Sequence, residues 1–236
     1  MMNTRMNTRI NIVELHQLAF AWPNGNLTLE IPELTIGQGE RVFIKGASGS
    51  GKSTLLSLLC GIQTASSGSL KVLDHSLATL SSRARDRFRA DHIGYIFQQF
   101  NLLPFLSVLD NVLCALSFSA RKRQRVAGDA TEEARRLLDA LQLPAHLLSQ
   151  PVHALSIGQQ QRVAAARALI GAPSLIIADE PTSALDTENR AAFIELLFAE
   201  CAKQGSTLIF VSHDPHLEPL FTRVESMQQL NRSLSC

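Results

Sequence analysis

The chain has 236 residues, a formal net charge of +1 at pH 7, 45% hydrophobic residues and 18% charged ones. That balance suits one folded unit with a substantial core and excludes intrinsic disorder; the near-neutral charge gives no broad basic field for gripping nucleic acid, so no nucleic-acid partner is expected. No window approaches the ~20 apolar residues that a helix needs to cross a bilayer, and the scattered cysteines Cys60, Cys114, Cys201 and Cys236 lack the close spacing of a metal site and read as reduced thiols.

In chain order, the opening MMNTRMNTR has no apolar stretch of the kind a signal peptide carries, and its MNTR repeat reads as a flexible tail or an upstream start. Residues Ile10 to Leu18, Leu27 to Leu34 and Glu40 to Ile44 have the texture of short strands. The last runs directly into GASGSGKST, Gly46 to Thr54. A helix is predicted over Ser53 to Cys60, with its N-terminus and its free N–H groups turned toward any anion held by that loop. Apolar runs at Ile93 to Phe97, Leu175 to Ala178 and Thr207 to Val211 read as buried strands of a largely parallel sheet. Ligands of open α/β sheets bind at the carboxyl ends of such strands. Between Gln98 and Leu155 the pattern turns helical: Ala130 to Leu141 carries acids early and apolar residues at helical spacing, and Pro104, Pro144 and Pro151 punctuate the segment. This segment reads as a helical lobe inserted in one discontinuous domain, and no repeat of domain size is present. Basic clusters at Arg83 to Arg89 and Arg121 to Arg125 read as solvated loops, balanced by Asp129, Glu132 and Glu133.

The chemistry concentrates in three motifs. The glycines of GASGSGKST let successive backbone N–H groups turn inward on a polyphosphate, Lys52 supplies charge to the β- and γ-phosphates, and the Ser53 hydroxyl is offered to Mg2+. In LIIADE, an apolar strand delivers two carboxylates at its tip. Asp179 is suited to holding Mg2+ through water, and Glu180 to polarising an attacking water. In LSIGQQQRVAAARALIGAP, Ser156 reads as the N-cap of a helix running to Ile170, with Gly171 and Pro173 marking its end, and its exposed N–H groups with Ser156 and Gly158 make a second anion site.

A loop of the GASGSGKST type together with LSIGQQQ resembles the ATP-binding-cassette family along most of the chain. The order of FQQFNLLPFLSVLDNV, LSIGQQQRVAAARALI and ADEPTSALD is similar to its lipoprotein-releasing and macrolide-exporter branch, although amino-acid importers share much of this wording. The resemblance implies an α/β fold of the P-loop NTPase class, with a RecA-like core and an N-terminal antiparallel β subdomain over residues 1–97 and 162–236, and an inserted helical subdomain over 98–161. It implies binding of ATP and Mg2+ by Gly46, Ala47, Ser48, Gly49, Ser50, Gly51, Lys52, Ser53 and Thr54. Gln98, with Gln99 as its neighbouring candidate, matches the glutamine that touches Mg2+ or the water. His213 matches the histidine at the γ-phosphate, and Asp186 the loop that communicates across a dimer. Trp22, or else Phe20, matches the aromatic that stacks on adenine.

Ser156, Gly158 and Gln159 match the signature turn that serves the γ-phosphate held by a second copy, so that two ATP molecules are sandwiched between two chains. The family commonly has glycine where this chain has Ile157, a β-branched residue ill suited to positive φ. The implied partners are a second copy and an integral-membrane permease, and the implied location is cytoplasmic, peripheral on the inner face of the cell membrane. The apolar stretches Phe100 to Phe105 and Leu109 to Val112 suit either a groove for the permease or the core of the lobe. Two other readings fit the same motifs: an ATP-dependent dimerisation module that signals through a membrane protein, and the ATPase of an importer.

Overall fold

A computed structural model describes residues 10–23, 25–183 and 187–235. The MNTR repeat and Asp186 lie outside them. Two long strands, β1 (Asn11–Ala21) and β2 (Leu27–Gly37), pair antiparallel and bury alternate side chains such as Leu29 and Ile31. β3 (Arg41–Lys45) leads through the glycine loop to α1 (Lys52–Leu59). β4 (Ser67–Val72) then joins the free edge of β1, with the two-residue β5 (His75–Ser76) outside it, giving a four-stranded sheet in the order β2-β1-β4-β5. Where β4 meets β1 the register shifts between His16 and Ala19. Gly68 has φ +82°, and a Cβ there would lie 2.1 Å from the Gln17 carbonyl oxygen, so only glycine allows this approach.

Next come α2 (Ser82–His92), β6 (Ile93–Ile96), α3 (Val108–Ser117), α4 (Ala120–Arg125), α5 (Ala130–Ala140) and α6 (Ile157–Leu169). They are followed by β7 (Leu175–Asp179), α7 (Thr187–Gln204), β8 (Thr207–Ser212), β9 (Arg223–Ser226) and α8 (Met227–Leu230). Strands β6-β7-β8-β3-β9 form a second sheet in that order, every neighbouring pair parallel. The runs RVFIK, LIIAD and TLIFVS are buried at nearly every position because both faces of this sheet are covered. On one face Ile44, Ile177 and Ile209 pack with the leucines of α1 and with β1 and β2. On the other, Phe43, Ile96, Ala178 and Phe210 pack with α3, α5, α6 and α7, and Phe43 stacks on Phe210 at 6.1 Å.

The basic clusters are not loops. They lie on α2 and α4, and most of their charge is spent on backbone carbonyls. Arg85 donates to the carbonyls of Gly61 (3.0 Å) and Leu80 (2.7 Å), and Arg89 to that of Cys60 (3.0 Å). The Cys60 and Gly61 carbonyls are acceptors at the C-terminal end of α1, where cations are favoured. Buried Lys122 donates to the Ile93 carbonyl at 2.9 Å, and burial pulls its pKa down to about 8. Of the two apolar stretches left open, Phe100 and Val112 are core, whereas Phe105 is 78% exposed. Residue 161, the end of the expected inserted lobe, falls inside α6, where Gln161 is fully buried. No helix among the described residues is long and apolar enough to cross a membrane.

α6 approaches the parallel sheet closely at Gly94 on β6. A Cβ there would lie 2.1 Å from the Ala168 carbonyl oxygen of α6 and 2.7 Å from Ile176 Cδ1. Because the obstacle is backbone, Gly94→Ala is expected to destabilise the fold by about 1–3 kcal/mol, the range of an overpacked core, as read from urea unfolding.

Candidate active site

The carboxyl ends of β3, β7 and β8 open on one cavity of about 560 Å³. Its walls include Ala47, Ser48, Gly49, Gly51, Lys52, Ser53 and Thr54 of the glycine loop, with Gln98, Asp179, Glu180, His213 and Thr28. Gly49 and Gly51 have φ +78° and +95°, which a side chain would resist. Gly51 is also the N-cap of α1 and supplies no side-chain cap, so the first N–H groups of the helix stay available to an anion. Gly46 and Ser50 stand behind the wall. The Lys52 ammonium donates to the carbonyls of Gly46 (2.7 Å) and Ala47 (2.9 Å) and lies 3.6 Å from Glu180 Oε1.

Successive residues of a strand point to opposite faces, yet Asp179 and Glu180 both reach this cavity. The reason is a left-handed kink: Glu180 has φ +44°, and its N–H donates to the Val211 carbonyl at 2.9 Å. A non-glycine residue in this region costs about 1–2 kcal/mol, and the kink turns two neighbouring carboxylates the same way. Glu180 Oε2 is 3.0 Å from His213 Nδ1. Asp179 Oδ2 accepts from the Tyr95 hydroxyl at 3.2 Å. Burial holds the Asp179 pKa above the usual carboxylate value, the Tyr95 bond opposes this, the Glu180 charge adds to it, and Lys52 opposes it.

Other expected site residues lie elsewhere. Trp22 is 44% exposed beyond the cavity wall, at the end of β1, edge-on to Phe20 at 5.1 Å. Phe20 itself is buried in the core, which leaves Trp22 as the aromatic with a face to offer. Ser156 caps α6 by accepting from the Gln159 N–H (3.3 Å), while Gln159 Oε1 accepts from the Ser156 N–H (2.9 Å). This reciprocal cap stands apart from the phosphate-loop cavity. Ile157 is the first residue of α6 and is absent from the positive-φ residues, so the strain anticipated for a β-branched side chain does not arise. Sequence reasoning missed Thr28 and Tyr95. Tyr95 is the chain's single tyrosine, placed two residues before the end of an apolar run, and that was its one available signal.

Residues 29–183 match the family model described as ABC transporter. The chain belongs to that family. It is 40% identical over 210 residues to the "Uncharacterized ABC transporter ATP-binding protein YbbA" of Escherichia coli K12, covering 88% of this chain and 90% of that one. It is 38% identical to the lipoprotein-releasing system ATP-binding protein LolD of Alcanivorax borkumensis, over 89% and 91% of the two chains. To the macrolide export ATP-binding/permease protein MacB of Campylobacter jejuni strain 81-176 it is 39% identical, over 84% of this chain and 30% of that longer protein. Among solved structures, the dimeric cassette MJ0796 bound to ADP and Pi superposes with a TM-score of 0.80 at 33% identity, over 91% and 93% of the two chains. The chain is thus an ATP-binding ATPase of the ABC transporter family.

The raised pKa of Asp179 has a definite sign. A carboxyl more basic in the folded than in the unfolded chain favours folding while protonated, and that contribution is lost as pH rises through the folded pKa. Asp179→Asn is therefore expected to melt at a higher temperature than the native chain at pH 7.5 in chelator, with the difference closing at acid pH. Differential scanning calorimetry checks this.

Proposed function

We propose that Lys52, Ser53, Gln98, Asp179, Glu180 and His213 bind and hydrolyse ATP to drive a permease of the lipoprotein-releasing or macrolide-exporter kind. The observation that carries this is their convergence on one cavity at the carboxyl ends of β3, β7 and β8. The glycine loop and the first turn of α1 hold the β- and γ-phosphates by backbone N–H groups, and Lys52 adds its charge. Glu180 accepts the proton of the attacking water, while His213 orients that carboxylate and leaves its other ring nitrogen to the γ-phosphate. Trp22 stacks on the base. Ser156, Gly158 and Gln159 serve the nucleotide of the second copy, and Asp186, by its match to the family, takes part in communication across the dimer.

The donor set suits Mg2+. Among the described residues no three His, Cys, Asp or Glu side chains cluster as a cage. The cavity instead offers one partly buried carboxylate (Asp179), one hydroxyl (Ser53) and one amide (Gln98), and Mg2+ keeps waters and takes few protein ligands. When bound, Mg2+ neutralises charge on the phosphates; Asp179, Ser53 and Gln98 would hold it.

The permease contact is assigned to a second, mostly apolar groove of about 600 Å³ between α2, β6, α3 and α6, walled by Ile93, Tyr95, Phe97 and Phe118 and rimmed by Arg83 and Arg87. Phe118 and Phe97 are both exposed on this groove, so its apolar lining is open to a partner. We place the protein in the cytoplasm, on the inner face of the membrane through this contact, with residues 98–161 as the inserted lobe that carries it.

Glu180→Gln is expected to lower the ATPase rate at least about 100-fold, the scale of a lost general base, while retaining ATP and accumulating a dimer in size-exclusion chromatography. Multiple turnover at the native rate would remove Glu180 from the mechanism. Tagged Glu180→Gln isolated from native membranes with Mg-ATP should bring a permease with it, and adding Phe118→Glu should reduce that recovery at least fivefold. Equal recovery would move the contact elsewhere.

A further inference from the structure

The C-terminal segment after β9 packs against the back of the glycine loop. Met227, the first residue of α8, is fully buried, and a Cβ on Gly46 would lie 2.9 Å from the Met227 Cβ. Four residues on, Asn231 is a polar side chain with no exposed surface. Its Oδ1 accepts from the Glu30 N–H at 2.8 Å and from the Ser233 N–H at 3.2 Å. Its Nδ2 donates to the carbonyls of Thr28 at 3.0 Å and of Ser50 at 3.4 Å. The Ser233 hydroxyl, 2.9 Å from Asn231 Oδ1, also reaches the Thr28 carbonyl at 3.0 Å. One amide thus joins three separate pieces of chain: β2, the glycine loop and the C-terminal segment. A buried amide is stable only when its donors and acceptors are used, so this arrangement is directional and does more than fill space.

The contact with the Ser50 carbonyl matters because of the geometry of the peptide unit. In a planar trans peptide the C=O and the following N–H point in opposite directions. Holding the Ser50 oxygen on Asn231 turns the Gly51 N–H away from Asn231. Gly51 lines the phosphate cavity, whereas Asn231 does not. Gly51 is itself wedged: a Cβ there would lie 2.6 Å from Leu29 Cδ2 and 3.5 Å from Asn231 Nδ2. Thr28, whose carbonyl takes the other Nδ2 hydrogen, lines the same cavity.

We propose that Asn231 is a positioning residue for nucleotide binding: it fixes the Ser50–Gly51 peptide so that the Gly51 N–H faces the phosphates, and it sets the height of Thr28 on the cavity wall. The inference rests on the reading of this cavity as the ATP site. A preset N–H contributes to the ground state and the transition state alike, so its loss appears in KM and not in kcat.

The test uses the full chain with ATP and ADP as probes. Asn231→Ala is expected to raise the KM for ATP and the Kd for ADP about tenfold, the scale of one hydrogen bond to a charged group, with kcat within twofold. Asn231→Leu, which keeps the packing volume and loses every hydrogen bond, should do the same. Unchanged KM and Kd in either folded variant, with only a lower melting temperature, would make Asn231 a packing residue and overturn the proposal. Should neither variant fold, the native chain labelled with 15N-glycine decides. Saturation with ADP should shift the Gly51 amide resonance, and an unmoved Gly51 amide beside shifted Gly49 would also overturn it. A native chain that binds no ADP at all would instead defeat the assignment of the cavity.

Discussion

Two carboxylates held side by side in a partly buried cavity set the terms for everything around them. Asp179 and Glu180 repel each other and both lose solvation, which nearby positive charge and hydrogen bonds offset. Lys52 stands 3.6 Å from Glu180, His213 is hydrogen-bonded to it, and the Tyr95 hydroxyl serves Asp179. Each of these comes from a different element: α1, the segment after β8, and β6. The parallel sheet is what brings their ends to one place, and the left-handed kink at Glu180 is what turns both acids to one side. The carboxylates, the ammonium, the imidazole and the phenol are therefore already arranged as a set, each within reach of a partner.

The sequence made this site legible where local signals and tertiary demand coincide. β3, β7 and β8 are covered on both faces, so they read as unbroken apolar runs. The start of α6 carries its cap in the letters Ser-x-x-Gln, and the helix begins one residue after Ser156 as that pattern requires. α2 was misread because Phe88 is its one buried residue and its remaining positions are largely charged. Its arginines looked solvated, yet Arg85 and Arg89 are bound to the end of α1 by contacts spanning 24 and 29 residues, which no window along the chain displays. β4 escaped notice for a similar reason. It opens Ser-Gly-Ser at a sheet margin, and the need for Gly68 comes from a carbonyl fifty residues away.

α6 physically links the apolar groove proposed for the permease to the loop that carries Gln98. Its middle alanines are buried against the sheet, and its backbone touches β6 at Gly94. From its last turn Arg167 donates to the carbonyls of Phe100 and Asn101, which have φ +59° and +49°. Those two left-handed residues follow Gln98 and Gln99, so the loop carrying the glutamine is tied to the helix whose other end is the signature turn. Arg167 also lines the apolar groove. A partner seated there would touch the same side chain that fixes the glutamine loop.

Ile157 stands where the family commonly has glycine, and the geometry of the helix start accommodates it. The reciprocal cap consumes the Gln159 N–H on the Ser156 hydroxyl, and the Gln160 N–H bonds the Ser156 carbonyl. In a helix the N–H groups of the first two residues have no partner within the helix, so those of Ile157 and Gly158 are the pair left to an anion. Both are backbone groups, and they point the same way whatever side chain the first residue carries, provided its φ is helical. Ile157 meets that condition. Its side chain, 53% exposed, adds apolar surface beside the N–H pair and takes nothing from it. In the dimer proposed above, that surface would be covered together with the phosphate, so the departure from glycine would alter the packing of the interface and leave the two free N–H groups of the helix end in place.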